Sequence, residues 1–429
     1  MKFFLSILTL AGAIHGKIIY AGVNEVSTFL NNRPLTFAVT KTLMNSLEGN
    51  LVLKIFLGHL ESTTHSSIRQ GCHLLPCHGL TDRLIPQSAV DVFVDQEKIN
   101  LFRVTFLMER MCPLATGLGS TFNETYFDEY ADAINYITVE KGVYAILDPH
   151  NYMRYNDPSS QPFSGSVSCF TTLDEFLHAQ GPPTSQVIGN TSDPTAATTE
   201  QFGEFWTELA GRFVDNPKVI FGINNEPHDM PTSLVLANNQ AAIDGIRSTG
   251  AEQLILAPGN AFTGGHSWTE GSDPSSPLIH EFVDPLNNTG IDVHEYLDID
   301  FSGTHDECVQ PGPENLEGVT AWLQEHNLKA VLSEFGGGNN DNCRQMVDEL
   351  LSYLDANDVW IGWAAWAAGP FWGSASPCCG PETGSLEPGV LNSLGEPNAF
   401  ETVWTPSIEP HVIPEDLKRN GTSGLDLEA

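Results

Sequence analysis

A chain of 429 residues with 41% hydrophobic content, 38 glycines and 27 prolines has the apolar material for a large, loop-rich domain, and its composition is not that of a disordered polymer. Its 54 acidic residues face only 19 basic ones, a formal charge of −35, which argues against nucleic acid and anionic membranes as partners.

Residues 1–16 form the first segment: one early lysine, an apolar core from Phe3 to Leu10, and small residues at Ala11, Gly12 and Ala13. This pattern is a secretory signal peptide, too short to cross a membrane. No later uninterrupted apolar run approaches membrane length, so the expected product is a secreted, extracellular, soluble protein. Eight cysteines (72, 77, 112, 169, 308, 343, 378, 379) suit an oxidising compartment, and sequons at Asn123, Asn190, Asn287 and Asn420 add the expectation of glycosylation.

The first strand is expected over 18–24 (IIYAGVN). From 27 to 85 the composition then shifts, with 5 Lys or Arg against 3 Asp or Glu, compared with 14 against 51 in the rest of the chain. Tryptophan and tyrosine are absent there, which suggests a segment of different origin such as translated intron, with an inserted subdomain as the other reading. Ser88 followed by Asp91 resembles a capping box and predicts a helix leading into the second strand. Further strands are expected over 100–106, 142–151, 219–228, 252–260, 290–298, 328–337 and 360–369. Between them lie helical stretches such as 198–216, where Phe202, Phe205, Leu209 and Phe213 recur on one face. Residues 152–200 form a long Pro-, Ser- and Thr-rich loop, and 406–429 a polar tail. Eight near-continuous apolar strands alternating with helices predict an α/β chain folded as one (β/α)8 TIM barrel over 17–405. A doubly wound sheet is the alternative, but no GxGxxG follows a strand.

Seven of the eight strands end in polar or aromatic residues: Arg103, His150, Asn225 with Glu226, Asn260, His294 with Tyr296, Glu334, and Trp366. Barrel active sites occupy that end, where loops vary without disturbing the core. Any one of these could be a satisfied structural residue, yet the recurrence points to a site. Glu226 and Glu334, ending the fourth and seventh strands, become opposed carboxylates at one mouth. Such a pair is the apparatus of glycoside hydrolysis, one holding a proton and one ionised. The competing reading is two buried glutamates salt-bridged to Arg103. His150 and His294 could instead ligate a metal, as could THDEC (304–308), but no HExxH or clustered Cys/His spacing supports that, and no metal or cofactor is expected.

The motifs FRVTFLMER, DPHNYMRY, INNEPHDM, DVHEYLDIDFSGTH, LSEFGGG and WAAWAAGPFWG, in that order, resemble glycoside hydrolase family five, nearest to its fungal endo-β-1,4-glucanases, also called cellulases. The resemblance runs from about Val90 to Trp372. It implies a retaining β-glucanase acting on a β-glucan polysaccharide, with Glu226 as general acid/base and Glu334 as nucleophile. By the same resemblance Asn225 contacts the sugar 2-hydroxyl, Arg103 keeps Glu334 ionised, and Tyr296 hydrogen-bonds the nucleophile. His294 supports the acid/base region, His150 meets sugar hydroxyls, and Trp366 stacks on a pyranose. It also pairs Cys308 with Cys343. Cys112 and Cys169, in loops after adjacent strands, are a second candidate pair. Mannanase or another β-glucanase is the alternative within the class, since the pair reports chemistry rather than the sugar. A non-catalytic glucan-binding protein is the alternative outside it, because 27–85 replaces the glycine- and aromatic-rich loop usual in this family. The polar stretch after the barrel resembles neither a cellulose-binding module nor a linker, so a single catalytic domain and a monomer are expected.

Overall fold

Eight strands pair side by side, each with its neighbour in the sequence and all parallel: β1 (Tyr20–Glu25), β2 (Leu101–Phe106), β3 (Tyr144–Pro149), β4 (Val219–Gly222), β5 (Ile255–Pro258), β6 (Thr289–Tyr296), β7 (Ala330–Gly336) and β8 (Trp360–Ala368). β8 returns to pair with β1, which closes the expected (β/α)8 TIM barrel. This computed structural model describes residues 18–25, 87–155, 186–369, 385–389, 391 and 397–412. Residues 1–16 and 27–85, Cys72, Cys77, Cys169, Cys378, Cys379, Asn420 and the tail beyond 412 lie outside the described residues, as do the expectations attached to them. No described helix is long and apolar enough to cross a membrane.

Strand periodicity explains why the barrel has two apolar compartments. Phe102, Val104 and Phe106 alternate outward into the large core under the helices, whereas Leu101 joins Tyr20, Ile146, Ile220, Leu256, Val331 and Ile361 in a separate cluster. This second cluster fills the barrel interior, the inward half of a period-two pattern. The strands approach closely in places; a Cβ on Gly22 would lie 2.2 Å from the Leu101 carbonyl oxygen, so glycine is required there.

Outside the barrel lie α1 (Gln87–Asp91), α2 (Met108–Met111), α3 (Glu124–Asn135), α4 (Thr199–Phe213), α5 (Thr232–Ser248), α6 (Gly312–Glu325) and α7 (Asp341–Ala356). Helix α4 starts at a capping box, in which Thr198 accepts from the Gln201 amide and Gln201 accepts from the Thr198 amide. It buries Phe202, Phe205, Leu209 and Phe213, the face its spacing predicted. Ser88 is a correction. Helix α1 already includes Gln87, which puts Ser88 inside the first turn and not at a cap, although the helix does lead into β2.

The boundary expected at Pro406 is also corrected. A helical segment, Phe400–Ile408, crosses the outside of the barrel with Trp404 fully buried, its ring 5.2 Å from Phe93 and its Nε1 donating to Glu97 at 3.0 Å. Ser407 and Ile408 are buried too, and His411 bridges Asp355 (3.0 Å) and Asp348 (2.9 Å) on α7. Packing onto the barrel therefore continues through His411.

Burial disfavours the charged form of His411, but Asp355 and Asp348 outweigh it and raise the pKa above 6.5. A raised histidine contributes its stability in full below the unfolded pKa and loses it as pH climbs through the folded one. His411→Ala should lower the unfolding free energy by about 1 kcal/mol at pH ~5 and by clearly less at pH ~9, read by urea denaturation. Equal losses at both pH values would assign the contribution to packing.

Candidate active site

Arg103 sits on β2 two residues above Leu101, on the inward face where the barrel interior turns from apolar to polar. Its guanidinium is 1% exposed. A charge so buried must be neutralised and hydrogen-bonded, or folding would reject it. Nη1 donates to Asn24 Oδ1 at 2.9 Å and to Glu334 Oε1 at 2.5 Å. Nη2 donates to Asn225 Oδ1 at 2.8 Å and lies 3.1 Å from Asp148 Oδ2. Burial pushes the Asp148 carboxyl up, but Arg103 and His150 outweigh it and hold it below the ordinary range. Asn24 is itself fixed by donating to the carbonyls of Ser333, Ala364 and Ala365, which ties β1 to β7 and β8.

Glu334 is 4% exposed and receives a second hydrogen bond from the Tyr296 hydroxyl at 3.0 Å. Its position depends on a register shift. Val293 pairs with Leu332, but His294 pairs with Glu334, so β7 carries one extra residue, Ser333. Such a bulge re-aims side chains at a strand end.

Glu226 stands across the mouth, beyond the strand that was expected to carry it. β4 ends at Gly222, and the stretch 223–228 is loop rather than strand, because the Asn225 amide turns away to the Pro149 carbonyl (3.0 Å). Glu226 has φ 39°, a left-handed conformation unfavourable for a residue with a Cβ. Its Oε1 lies 2.8 Å from His294 Nδ1, and His294 Nε2 lies 2.9 Å from the Ser333 hydroxyl, which donates to Asp292. With Ser333 donating onward, the consistent assignment is a neutral His294 with its proton on Nε2 and Nδ1 free to accept from a protonated Glu226. Burial supports both halves: it lowers the His294 pKa and pushes Glu226 up to about 7. His150 and Arg103 offset part of the Glu226 shift.

The residues singled out for the site, Asn260 excepted, gather around the two carboxyl groups. His150 Nδ1 bonds Asp148 at 2.9 Å, and its ring stacks on Trp366 with centroids 5.2 Å apart. The paired-glutamate alternative is half realised: Arg103 bonds Glu334, whereas the hydrogen-bond partner of Glu226 is His294. Asn260 serves a different purpose, donating to the Met230 carbonyl and Thr232 hydroxyl and so tying loops together. Asp148, Asp292, Asn24 and Ser333 were missed. A signal existed for two of them, since Asp148 and Asp292 stand two residues before His150 and His294 and share their inward face. At the rim beside Glu226, Phe262 stacks on His228 at 4.2 Å and Tyr152 meets it edge-on.

Glu226, His294 and Glu334 each offer an atom within 4.8 Å of the others, close enough for metal ligation in principle. Those atoms are engaged with one another, and the Arg103 cation bonded to Glu334 would repel a metal ion. Nearby, Cys308 and Cys343 form a disulfide with Cα atoms 5.1 Å apart, the pairing that the resemblance implied. Cys112 is a buried thiol bonded to the Ser120 carbonyl, and its expected partner Cys169 lies outside the described residues.

A TIM barrel with two carboxylates facing across its mouth, one protonated by burial and one bonded to arginine, defines a class of glycosidic-bond-cleaving enzymes. A family model described as cellulase (glycosyl hydrolase family 5) matches residues 71–369, a match that opens inside the compositionally distinct segment. Endoglucanase 1 of Robillarda sp. (strain Y-20) is 60% identical over 349 residues, covering 81% of this chain and 85% of its own. A probable endo-beta-1,4-glucanase B of Aspergillus oryzae is 38% identical over 319 residues, 73% of this chain and 83% of its own. Among solved structures, XacCel5A in complex with cellopentaose superimposes with a TM-score of 0.65 at 26% identity, covering 92% of this chain and 99% of that one. The chain belongs to the cellulase family, glycosyl hydrolase family 5, and is a glycoside hydrolase.

Arg103→Leu should cost about 3–5 kcal/mol of stability, because it strands Asp148 and Glu334 as unpaired buried charges. Asp148→Asn should then cost less in that background than alone. Chemical denaturation of the two single variants and the double variant measures this coupling, and additive losses would mean that the pair is not linked.

Proposed function

We propose that this chain is a secreted endo-β-1,4-glucanase that hydrolyses internal bonds of cellulose and related β-glucans with retention of anomeric configuration. The carrying observation is the carboxyl separation: oxygens of Glu226 and Glu334 lie within 4.8 Å. Retaining enzymes keep their pair about 5–5.5 Å apart, whereas inverting ones leave about 6.5–9.5 Å for a water. Glu334 attacks the anomeric carbon as Glu226 gives its proton to the glycosidic oxygen, so one C–O bond breaks and an ester to Glu334 forms. Glu226, now a carboxylate, deprotonates a water that attacks the same carbon; the ester breaks and Glu334 is restored. The pair supplies acid, base and nucleophile, so the chemistry needs no cofactor.

Neighbouring groups favour this reading. Asn225, its Oδ1 fixed by Arg103, holds its Nδ2 beside Glu226, where a sugar hydroxyl would accept from it. Trp366, partly exposed beside His150, offers an aromatic wall to a pyranose. Glucan and endo cleavage draw support from the relatives' names and from the cellopentaose bound by XacCel5A. Secretion draws support from the leader-like start, the disulfide, and the exposure of the sequon residues Asn123 and Asn287. All proposed site residues belong to one chain, so a monomer suffices.

Turnover should be high on carboxymethyl-cellulose and lichenan and low on mannan; a preference for mannan would overturn the glucanase reading. Glu334→Ala should reduce turnover by roughly 10⁴-fold or more while still binding oligosaccharide, with rescue by azide. Near-normal activity in that variant would remove Glu334 from its role.

The pH profile of kcat/KM should lose activity as pH rises through about 7, where Glu226 gives up its proton. In Glu226→Gln, assayed on a substrate with a good leaving group, that alkaline limb should vanish. A limb that persists there would assign the titration to another residue.

A further inference from the structure

Beside the reacting pair, between the loops that follow β6 and β7, lies an open pocket, a shallow hollow in the surface and not an enclosed cavity. Two of its lining residues, Tyr296 and Trp366, already belong to the active site, so the pocket is continuous with the mouth of the barrel. Its other polar side chains are Asp298 and His305, from the loop after β6.

The pocket wall is rigidly built. Residues 336–338 are glycines; a Cβ at Gly338 would lie 2.0 Å from the Asp306 carbonyl oxygen, and one at Gly337 would lie 3.2 Å from Cys308 Sγ. The Cys308–Cys343 disulfide fastens the β6 loop to α7 and thereby holds that loop against the glycines.

Asp298 has no hydrogen-bonding capacity to spare. It accepts from the amides of Gly303 (3.0 Å), Thr304 (3.2 Å) and His305 (3.2 Å), from the Ser302 hydroxyl (3.1 Å), and from His305 Nδ1 (2.9 Å). Asp300 lies 3.3 Å from the same nitrogen. Asp298, Asp300 and His305 are therefore bonded to one another and do not form an open cation site. The two carboxylates fix the imidazole through Nδ1. Nε2 has no partner among the described residues, and the His305 side chain is 49% exposed. A ring oriented on one nitrogen, with its other nitrogen free, is a preorganised hydrogen-bonding group.

We propose that His305 is a substrate-contacting, specificity-determining residue, donating from Nε2 to a hydroxyl of a glucosyl unit that rests over this shallow pocket next to the unit stacked on Trp366. This rests on the glucanase reading above. It assigns Asp298 and Asp300 the task of orienting the ring.

The test is calorimetric titration of cellotetraose into the inactive Glu334→Ala protein and into the same protein carrying His305→Ala or His305→Gln. Loss of one hydrogen bond from the oriented imidazole should weaken binding roughly tenfold in the alanine variant. Glutamine, which keeps an N–H at similar reach, should recover part of the loss, with melting temperatures unchanged. If the alanine variant does not fold, His305→Phe, which keeps the ring without a donor, carries the same expectation. Equal affinity in parent and variants overturns the proposal, as does a loss that glutamine shares in full. Failure of the active enzyme to cut carboxymethyl-cellulose, with His305-dependent binding retained, would overturn the endoglucanase reading and leave this site standing. No cellotetraose binding by the parent overturns both.

Discussion

A guanidinium inside a barrel is the constraint on which the site depends. Removing Arg103 from water costs several kcal/mol unless its donors find acceptors and its charge finds an anion. Its acceptors come from β1, β3, the loop after β4, and β7, so one residue's demand for pairing aligns four segments far apart in the chain. Glu334 is thereby both oriented and kept beside a positive charge. The desolvation cost is thus turned into preorganisation for chemistry.

Glu226 shows the opposite use of burial. Its hydrogen-bond partner is the neutral His294 and not a cation, and the low-polarity setting raises its pKa to about 7. Two residues of one type, one atom pair within 4.8 Å, therefore sit in different electrostatic settings because their neighbours differ. The bulge at Ser333 serves both. It pairs His294 with Glu334 and sends the Ser333 hydroxyl between His294 and Asp292. Around this centre the disulfide and the glycine run shape the adjoining pocket and hold its walls together.

Much of the fold was legible because its signals are local. Alternation at Leu101, Phe102 and Arg103 assigns inward and outward faces before any contact is known, and the Thr198–Gln201 box marks a helix start within four residues. The charged strand ends pointed to the mouth, and the ends of the fourth and seventh strands singled out the two glutamates. Where the reading failed, a longer-range contact decided. Ser88 has the residue pattern of a cap, but the helix begins earlier. Residues 223–228 directly follow an apolar run and were read as its polar strand end, yet the Asn225 amide bonds to Pro149 and the strand stops at Gly222. Residues 406–411 are polar enough to resemble a tail, but Ile408 packs into the core and His411 reaches two aspartates on α7.

Residue order alone therefore set the order of the eight strands, the helical stretches between them, the two glutamates at strand ends and the chemical class of the site. Barrel closure decided the rest: that Asn24 meets Arg103 across 79 positions, that Arg103 meets Glu334 across 231, and that only one glutamate bonds to the guanidinium. The physical reason is that hydrophobic periodicity is written in neighbouring residues, whereas desolvation and charge pairing depend on distances through space, which come into being only when β8 returns to β1.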